Sequence, residues 1–325
     1  VCDALHELTA GVNTVPLSRV LRPFFLLDLY SGVRKIHNQC VAALASLKEL
    51  MLLALVVQAS TQNPLDDPPP TYIGYRVTSP IVIDGKLKEA HWKHTPRMDF
   101  AGLVDGAPAW FDSYSQMVWD DTYLYVGFWA ADPNVFGTVG PDTPEPRDFW
   151  KDNDKYIMLH DPLFMVFVDP DGDHRNYIEM HINALNNVDD IWLNQGSTEK
   201  DRQVLDLHAP NYHLEWDCPG VEHAIAVYGT LNDPSDTDRG WSAEIAIPWT
   251  ALEPLTEGSL PPAEGDQMLV HSGWEYRLAV NEPVIYWTWP VIGILDDHQL
   301  WRYGRFVISA DAPGSRSFPT PSQNE

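Results

Sequence analysis

The sequence predicts an all-β fold: an antiparallel β-sandwich of jelly-roll or immunoglobulin-like type, one domain between disordered ends. Three observations predict it. Short apolar runs recur along the chain and alternate with a period of two, as strands with one buried face do. Twenty-seven prolines and 20 glycines punctuate those runs, the pattern of many short strands joined by turns. No long segment carries a 3.6-residue period, and strands do not alternate with helices, which argues against a parallel α/β sheet.

The elements follow in chain order. Residues 1–60 differ from the rest and read as an N-terminal extension. Within it, the apolar run 50–57 is too short to span a bilayer. The following Val57-Gln58-Ala59 offers a signal-peptidase site, so the chain is expected to be secreted and cut near Ala59. Residues 61–70, with three consecutive prolines, read as an extended linker. The sandwich is expected over 71–309. Strands are predicted at Leu124–Ala130, Phe164–Val168, Tyr177–Asn183, Ala224–Tyr228, Trp241–Pro248, Trp274–Val280, Ile285–Trp289 and Arg305–Ile308. Short helical turns fit Leu87–Trp92 and Thr250–Leu252. Residues 310–325, rich in Pro, Ser and Gly, read as a disordered tail.

Composition narrows the function. The formal net charge of −25 argues against nucleic acid, which needs clustered Lys and Arg, and against anionic membranes. The mature domain is not expected to insert in a membrane. Cys218 is the one cysteine in the expected sandwich, so no internal disulfide is predicted there. Thirteen tryptophans exceed packing needs, and a flat apolar ring with a polar edge suits the face of a sugar.

One hairpin concentrates that chemistry. Phe164, Val166 and Val168 alternate with Met165, Phe167 and Asp169; on the partner strand Ile178, Met180 and Ile182 alternate with Tyr177, Glu179, His181 and Asn183. Strand side chains alternate faces, so the first set on each strand is core and the second forms a shared polar face. Glu179, His181 and Asn183 are candidate sugar ligands. Trp287 or Trp289, two apart on a strand and therefore on one face, is expected to wall them. Trp192 and Trp301 are further aromatic candidates. The connecting loop crowds Asp169, Asp171 and Asp173, whose repulsion a calcium ion would relieve, and Asp120-Asp121 is a second calcium candidate. An EF-hand is excluded, because its Gly and Glu positions fall on His174 and Met180.

Four stretches in order resemble the family 9 carbohydrate-binding modules, within the wider group of sandwiches that includes the DOMON-like domains. They are Pro80–Trp92 with its Ile83-Asp84-Gly85; Trp119–Val126; Val166–Asp173 running on through Asn176–Ala184; and Glu244–Trp249 with the closing Tyr303–Phe306. The resemblance spans roughly 77–309 and implies a β-sandwich that binds soluble sugars or polysaccharide ends, frequently with calcium. In that family two tryptophans clamp the sugar and Glu, Arg and Asn bond it. Here the Glu and Arg positions are Met165 and His181, Asn183 falls on a position kept polar, and the positions nearest the clamp are Leu159 and Asp297.

The expectation is therefore non-catalytic binding of an oligo- or polysaccharide. No nucleophile elbow or phosphate loop appears, and the resemblance leaves no room for a catalytic domain. Three alternatives remain: a structural or partner-binding sandwich with a decayed sugar site, an accessory module with glycosidase activity, and a haem-binding domain. Haem fits poorly, because Met165 and His181, as cross-strand neighbours, would point the same way from one sheet.

Overall fold

The computed structural model describes residues 64–142, 156–194, 212–213 and 216–315. The expected signal segment, Cys2, Cys40 and the last ten residues lie outside them. These described residues belong to one compact unit and are all-β.

The described strands are β1 (Thr71–Arg76), β2 (Met98–Asp99), β3 (Ala101–Gly102), β4 (Ser113–Trp119), β5 (Tyr123–Ala130), β6 (Leu163–Asp169) and β7 (Tyr177–Asn183). They continue with β8 (Val188–Leu193), β9 (Tyr212–His213), β10 (Glu222–Val227), β11 (Trp241–Pro248), β12 (Gln267–Tyr276), β13 (Ile285–Trp289) and β14 (Gly304–Ser309). Three short helices, α1 (Ala90–His94), α2 (Ile157–His160) and α3 (Trp249–Leu252), interrupt them.

The strands join into one sheet in the order β10-β11-β5-β4-β1-β14-β12-β6-β7-β8-β9, with β13 beside β12. This differs from two wholly antiparallel sheets. β1 pairs parallel to both β4 and β14, which ties the two halves together. Antiparallel pairing by a hairpin needs adjacent strands joined by a tight turn. β1 has no such neighbour: its partners lie 35 or more residues away in sequence, and parallel pairing becomes available.

The sheet curls so that its halves face each other, and the main core fills the space between. Phe128 of β5 stacks on Phe164 of β6 with centroids 4.5 Å apart, and Trp241 meets Phe128 edge-on at 4.7 Å. Phe164, Val166, Val168, Ile178, Met180 and Ile182 all point into this core, as their alternation predicts. The predicted hairpin forms, β6 pairing antiparallel with β7, and β10 pairs antiparallel with β11.

Three expectations change. β11 alternates like a half-buried strand, yet every residue in it is buried. The chain between β1 and β2 lies over its outer side, where Ile81 and Trp92 pack on Ala246 and Tyr125. β12 starts at Gln267, because Gln267–Val270 pairs with β14 and Leu269–Glu275 with β6; it stops at Tyr276, and Leu278 and Val280 are exposed. The proline-rich stretch before β1 is not free: Pro64–Asp66 forms a turn of 3₁₀ helix, and the Arg302 guanidinium donates to the Pro64 and Asp67 carbonyls at 2.7 and 2.8 Å.

Candidate functional site

The outer side of β12, β6, β7 and β8 is where the sequence places its polar face. Register decides what gathers there. Met165 pairs with His181, Phe167 with Glu179, and Leu163 with Asn183; β12 adds His271 beside Phe167 and Glu275 beside Leu163. β8 adds Asp189 opposite His181. The chain after β13 folds back over this surface and brings Asp297, His298 and Tyr303.

The face is buried. Glu179 is 5%, His181 1% and Asn183 0% exposed. Leu300, Ile292, Ile157 and Tyr303 pack with Met165 and Phe167 in a second apolar cluster that covers it. The three predicted residues lie on one face but play different parts. The Asn183 amide donates to the Val139 carbonyl and the Asp161 carboxylate, while its oxygen accepts from the Leu185 and Asn187 N–H groups. That uses its bonding capacity on the fold, so Asn183 is a bracket for neighbouring loops.

Glu179 and His181 are the charged centre. Their Oε1 and Nε2 atoms are 2.9 Å apart, and His298 Nε2 lies 3.8 Å from the other Glu179 oxygen. Burial alone would push the Glu179 carboxyl up, but His181 and His298 outweigh it and hold it below the usual range. Burial would push His181 down, but the Glu179 carboxylate offsets this and raises the imidazole to about 9. Glu275 goes the other way: burial, against the pull of His181, lifts its carboxyl to about 8. Burial likewise raises Asp189 to about 6. At neutral pH the face therefore holds a Glu179 carboxylate beside a His181 imidazolium, with a protonated Glu275 alongside.

Four polar atoms of this face are buried without a partner: His181 Nδ1, His271 Nδ1, Asp189 Oδ1 and the Tyr303 hydroxyl. Buried polar groups are rarely left unmatched, so such a cluster calls for water or ligand. The His271 ring, bonded through Nε2 to Asp297 at 3.0 Å, lies stacked on Tyr303 with centroids 5.1 Å apart. Tyr286, Asp297 and His298 are only half-buried and form the rim.

The expected tryptophan wall is corrected. Trp287 does share a face with Trp289, but that face is the inner one. Trp287 pairs with Trp274, and Trp274 with Phe164, so Trp287 follows Phe164 into the main core and is 3% exposed. Trp289 lies over Gly304 and edge-on to Tyr72. Trp192, opposite Ile178, also turns inward and stacks on His213 at 4.3 Å. Trp301 is half-buried, and its indole N–H donates to Gln299. Trp287, Trp289 and Trp192 thus turn to the inner side, away from Glu179. His271, Glu275 and Asp189 were missed. Extending β12 back to Gln267 would have shown His271 and Glu275 in step with Leu269 and Gly273, on the same side as Met165.

The calcium candidates separate. Asp169, Asp171 and Asp173 place oxygens within 4.8 Å of one another. Much of their capacity is already used. Both Asp169 oxygens accept backbone N–H groups, from Gly172 and His174; Asp171 accepts from Thr256 Oγ1, and Asp173 Oδ1 from the Arg175 N–H. The hard oxygens suit calcium, and Asp173 Oδ2 remains open to it. Asp120 and Asp121 do not fit. Asp120 accepts from the Thr122 and Tyr123 N–H groups and the Tyr125 hydroxyl, and Asp121 is paired with Arg76. Met165 and His181 are cross-strand neighbours and leave the sheet on the same side, which does not suit a haem iron approached from two sides. Burial lifts the Cys218 thiol to about 12, so it is inert, and no helix among the described residues is long and apolar enough to cross a membrane.

No family model and no curated protein matches the chain. Solved structures do. A family 9 carbohydrate-binding module from Caldicellulosiruptor kristjanssonii in complex with glucose is 14% identical with a TM-score of 0.43, over 77% of this chain and 99% of that one. The same module with cellotriose gives 14% and 0.44, over 77% and 100%. A Bacteroides uniformis protein gives 12% and 0.48, over 74% and 99%. The chain is similar to family 9 carbohydrate-binding modules.

Proposed function

We propose that the chain is a non-catalytic, exported module that binds a saccharide at the outer face of β6, β7 and β12. The four unmatched atoms, His181 Nδ1, His271 Nδ1, Asp189 Oδ1 and the Tyr303 hydroxyl, beside the Glu179–His181 pair carry this reading. A sugar hydroxyl both donates and accepts, so one ring can match orphaned donors and acceptors together. Asp297, His298 and Tyr286 at the rim would meet the ligand first. The Solvent-shielded pair strengthens each bond, but ordering the ligand and stripping its water offset most of that gain. The net affinity is expected between roughly micromolar and millimolar.

A glycan array followed by calorimetry tests it. Wild type binds a mono- or oligosaccharide; Glu179→Gln and His298→Ala each weaken binding about tenfold or more while near-UV circular dichroism stays unchanged. No binding at millimolar sugar overturns the reading. In that case a partner-binding sandwich with a closed sugar face replaces it, which the near-complete burial of Glu179, His181 and Asn183 favours.

Calcium in the Asp169–Asp173 loop belongs to the same proposal, supported by the three converging carboxylates. Export rests on the apolar run 50–57 followed by Ala59; N-terminal sequencing that finds 50–57 retained in the mature chain overturns it.

A further inference from the structure

We propose that a second saccharide site lies in the open groove around Trp110, and that it takes the interior of a polysaccharide chain. The groove has a volume of about 530 Å³ and is lined by Arg97, Asp99, Phe100, Trp110, Phe111 and Asp112, among others. That is the size of a small-ligand site.

The chain builds this groove in three steps. β2 pairs with β4, which sets Asp99 opposite Tyr114 and brings Arg97 alongside Asp112. The loop after β3 turns tightly at Gly106, whose φ of +66° a side chain would strain. There the Gly102 N–H donates to the Ala107 carbonyl and the Gly106 N–H to the Gly102 carbonyl, at 2.7 and 2.9 Å. The turn swings Trp110 back against β13, edge-on to Trp287 at 5.5 Å. Trp287 is itself buried and stacked on Tyr276 at 5.3 Å.

Trp110 is thus anchored from below by a rigid aromatic stack and remains 62% exposed. A lone exposed aromatic means little. Here it shares a groove with a set of planar hydrogen-bonding groups. The Arg97 guanidinium lies 3.6 Å from the Tyr114 ring centre, bonds Asp99 through Nε at 2.8 Å, and bonds Asp112 through Nη2. Arginine presents five N–H donors, so three remain to offer, and each carboxylate keeps acceptor capacity.

Charge and shape select the occupant. One guanidinium between two carboxylates leaves the groove slightly acidic on a chain of net charge −25, which disfavours phosphates, sulfates and polyuronates. A neutral sugar fits both halves: its CH face lies on the Trp110 ring, and its hydroxyls donate to Asp99 and Asp112 and accept from Arg97. The groove is open to solvent, which suits the interior of a chain, whereas the Glu179 face is enclosed. Nothing in this site depends on the Glu179 cluster, so it stands or falls separately from the function proposed above.

The test is affinity electrophoresis through soluble neutral polysaccharides (β-glucan, xylan, mannan), with wild type, Trp110→Ala, Trp110→Phe and Glu179→Gln. Thermal midpoints serve as the folding control, and Trp110→Ala should leave the midpoint nearly unchanged because the ring is exposed. Wild type is expected to be retarded by at least one polymer. Trp110→Ala should weaken that retention about tenfold or more, and Trp110→Phe should restore part of it. Glu179→Gln reports the outer face separately: in long polymers, which carry few chain ends, it should lower retention less than Trp110→Ala does. Equal retention of wild type and Trp110→Ala overturns the groove, as does no retention of wild type by any polymer. If retention is lost only in Glu179→Gln, the groove falls and the outer-face reading stands; if only in Trp110→Ala, the groove stands alone. A concentration-dependent dimer abolished by Trp110→Ala, with no polymer retained, overturns the saccharide and makes the groove a self-interface.

Discussion

Glu244 shows what single residues do in this chain. Its Oε2 accepts the Asp84 and Gly85 N–H groups at 3.0 and 2.9 Å, and its Oε1 accepts the Trp92 indole N–H at 3.0 Å. One buried carboxylate therefore fastens the segment between β1 and β2 onto β11. Gly85 is required at this contact: its φ is +78°, and a Cβ there would come within 2.3 Å of the Ile225 backbone. The motif residues Ile83-Asp84-Gly85, Trp92 and Glu244, far apart in sequence, are one knot. Glu244→Ala would strand three donors, two of them buried, and is expected to cost about 3 kcal/mol. Urea unfolding should show it as a lower midpoint at similar slope, with any saccharide affinity at the Glu179 face unaltered. A loss below about 1 kcal/mol would mean that water readily replaces the carboxylate.

At the scale of elements, strand parity governs which side chains meet. β7 sends Ile178, Met180 and Ile182 to one side and Tyr177, Glu179, His181 and Asn183 to the other, and every strand paired through it inherits that division. The tryptophans at 287 and 289 fall on the inner side by one residue of register, and no side-chain rotation carries them across. The β6–β7 connection is a tight loop with Gly172, His174 and Asn176 all at positive φ, and it turns the chain so that Asp169, Asp171 and Asp173 converge. Calcium bound there would stabilise the folded loop by mass action. Chelator is expected to lower the thermal midpoint of the protein as isolated, excess calcium to restore it, and Asp173→Asn to remove the difference. An unchanged midpoint in both conditions means that the backbone N–H groups alone satisfy the loop.

The whole molecule carries its charge asymmetrically with respect to pH. His181 is raised from 6.5 to about 9, so its contribution is complete below pH 6.5 and lost as pH climbs through 9. Glu275, raised from 4.5 to about 8, keeps its proton in the folded state while the unfolded chain gives it up; stability falls across that window as well. Glu179 is lowered, so its contribution is lost only on the acid side, as pH drops through its folded value. In all three cases the sign follows from which state binds more protons. Between pH 5.5 and 9 the thermal midpoint is expected to fall steadily. His181→Gln should flatten the upper part of the curve, and a midpoint that rises toward pH 9 would show that the cluster does not hold its extra protons.

Local periodicity determined, in the strands it picked out, which residues share a face: Phe164 with Val166, Glu179 with His181, Trp287 with Trp289; β1, β4 and β8 it did not pick out. A period of two is a property of a single strand and needs no partner to be read. It does not say which face of one strand joins which face of another. Only the tertiary structure decided that, through pairings such as Trp274 with Trp287 and Glu275 with Tyr286. Burial on both sides escaped for the same reason. β11 looks half-exposed because Ser242 and Glu244 are polar, yet both are buried and bonded to distant backbone, Ser242 to the Gly85 carbonyl and Glu244 to the Asp84 and Gly85 N–H groups. Polarity in a strand signals water only where no distant segment supplies the partner, and the contacts that supply it here span 150 residues or more of chain.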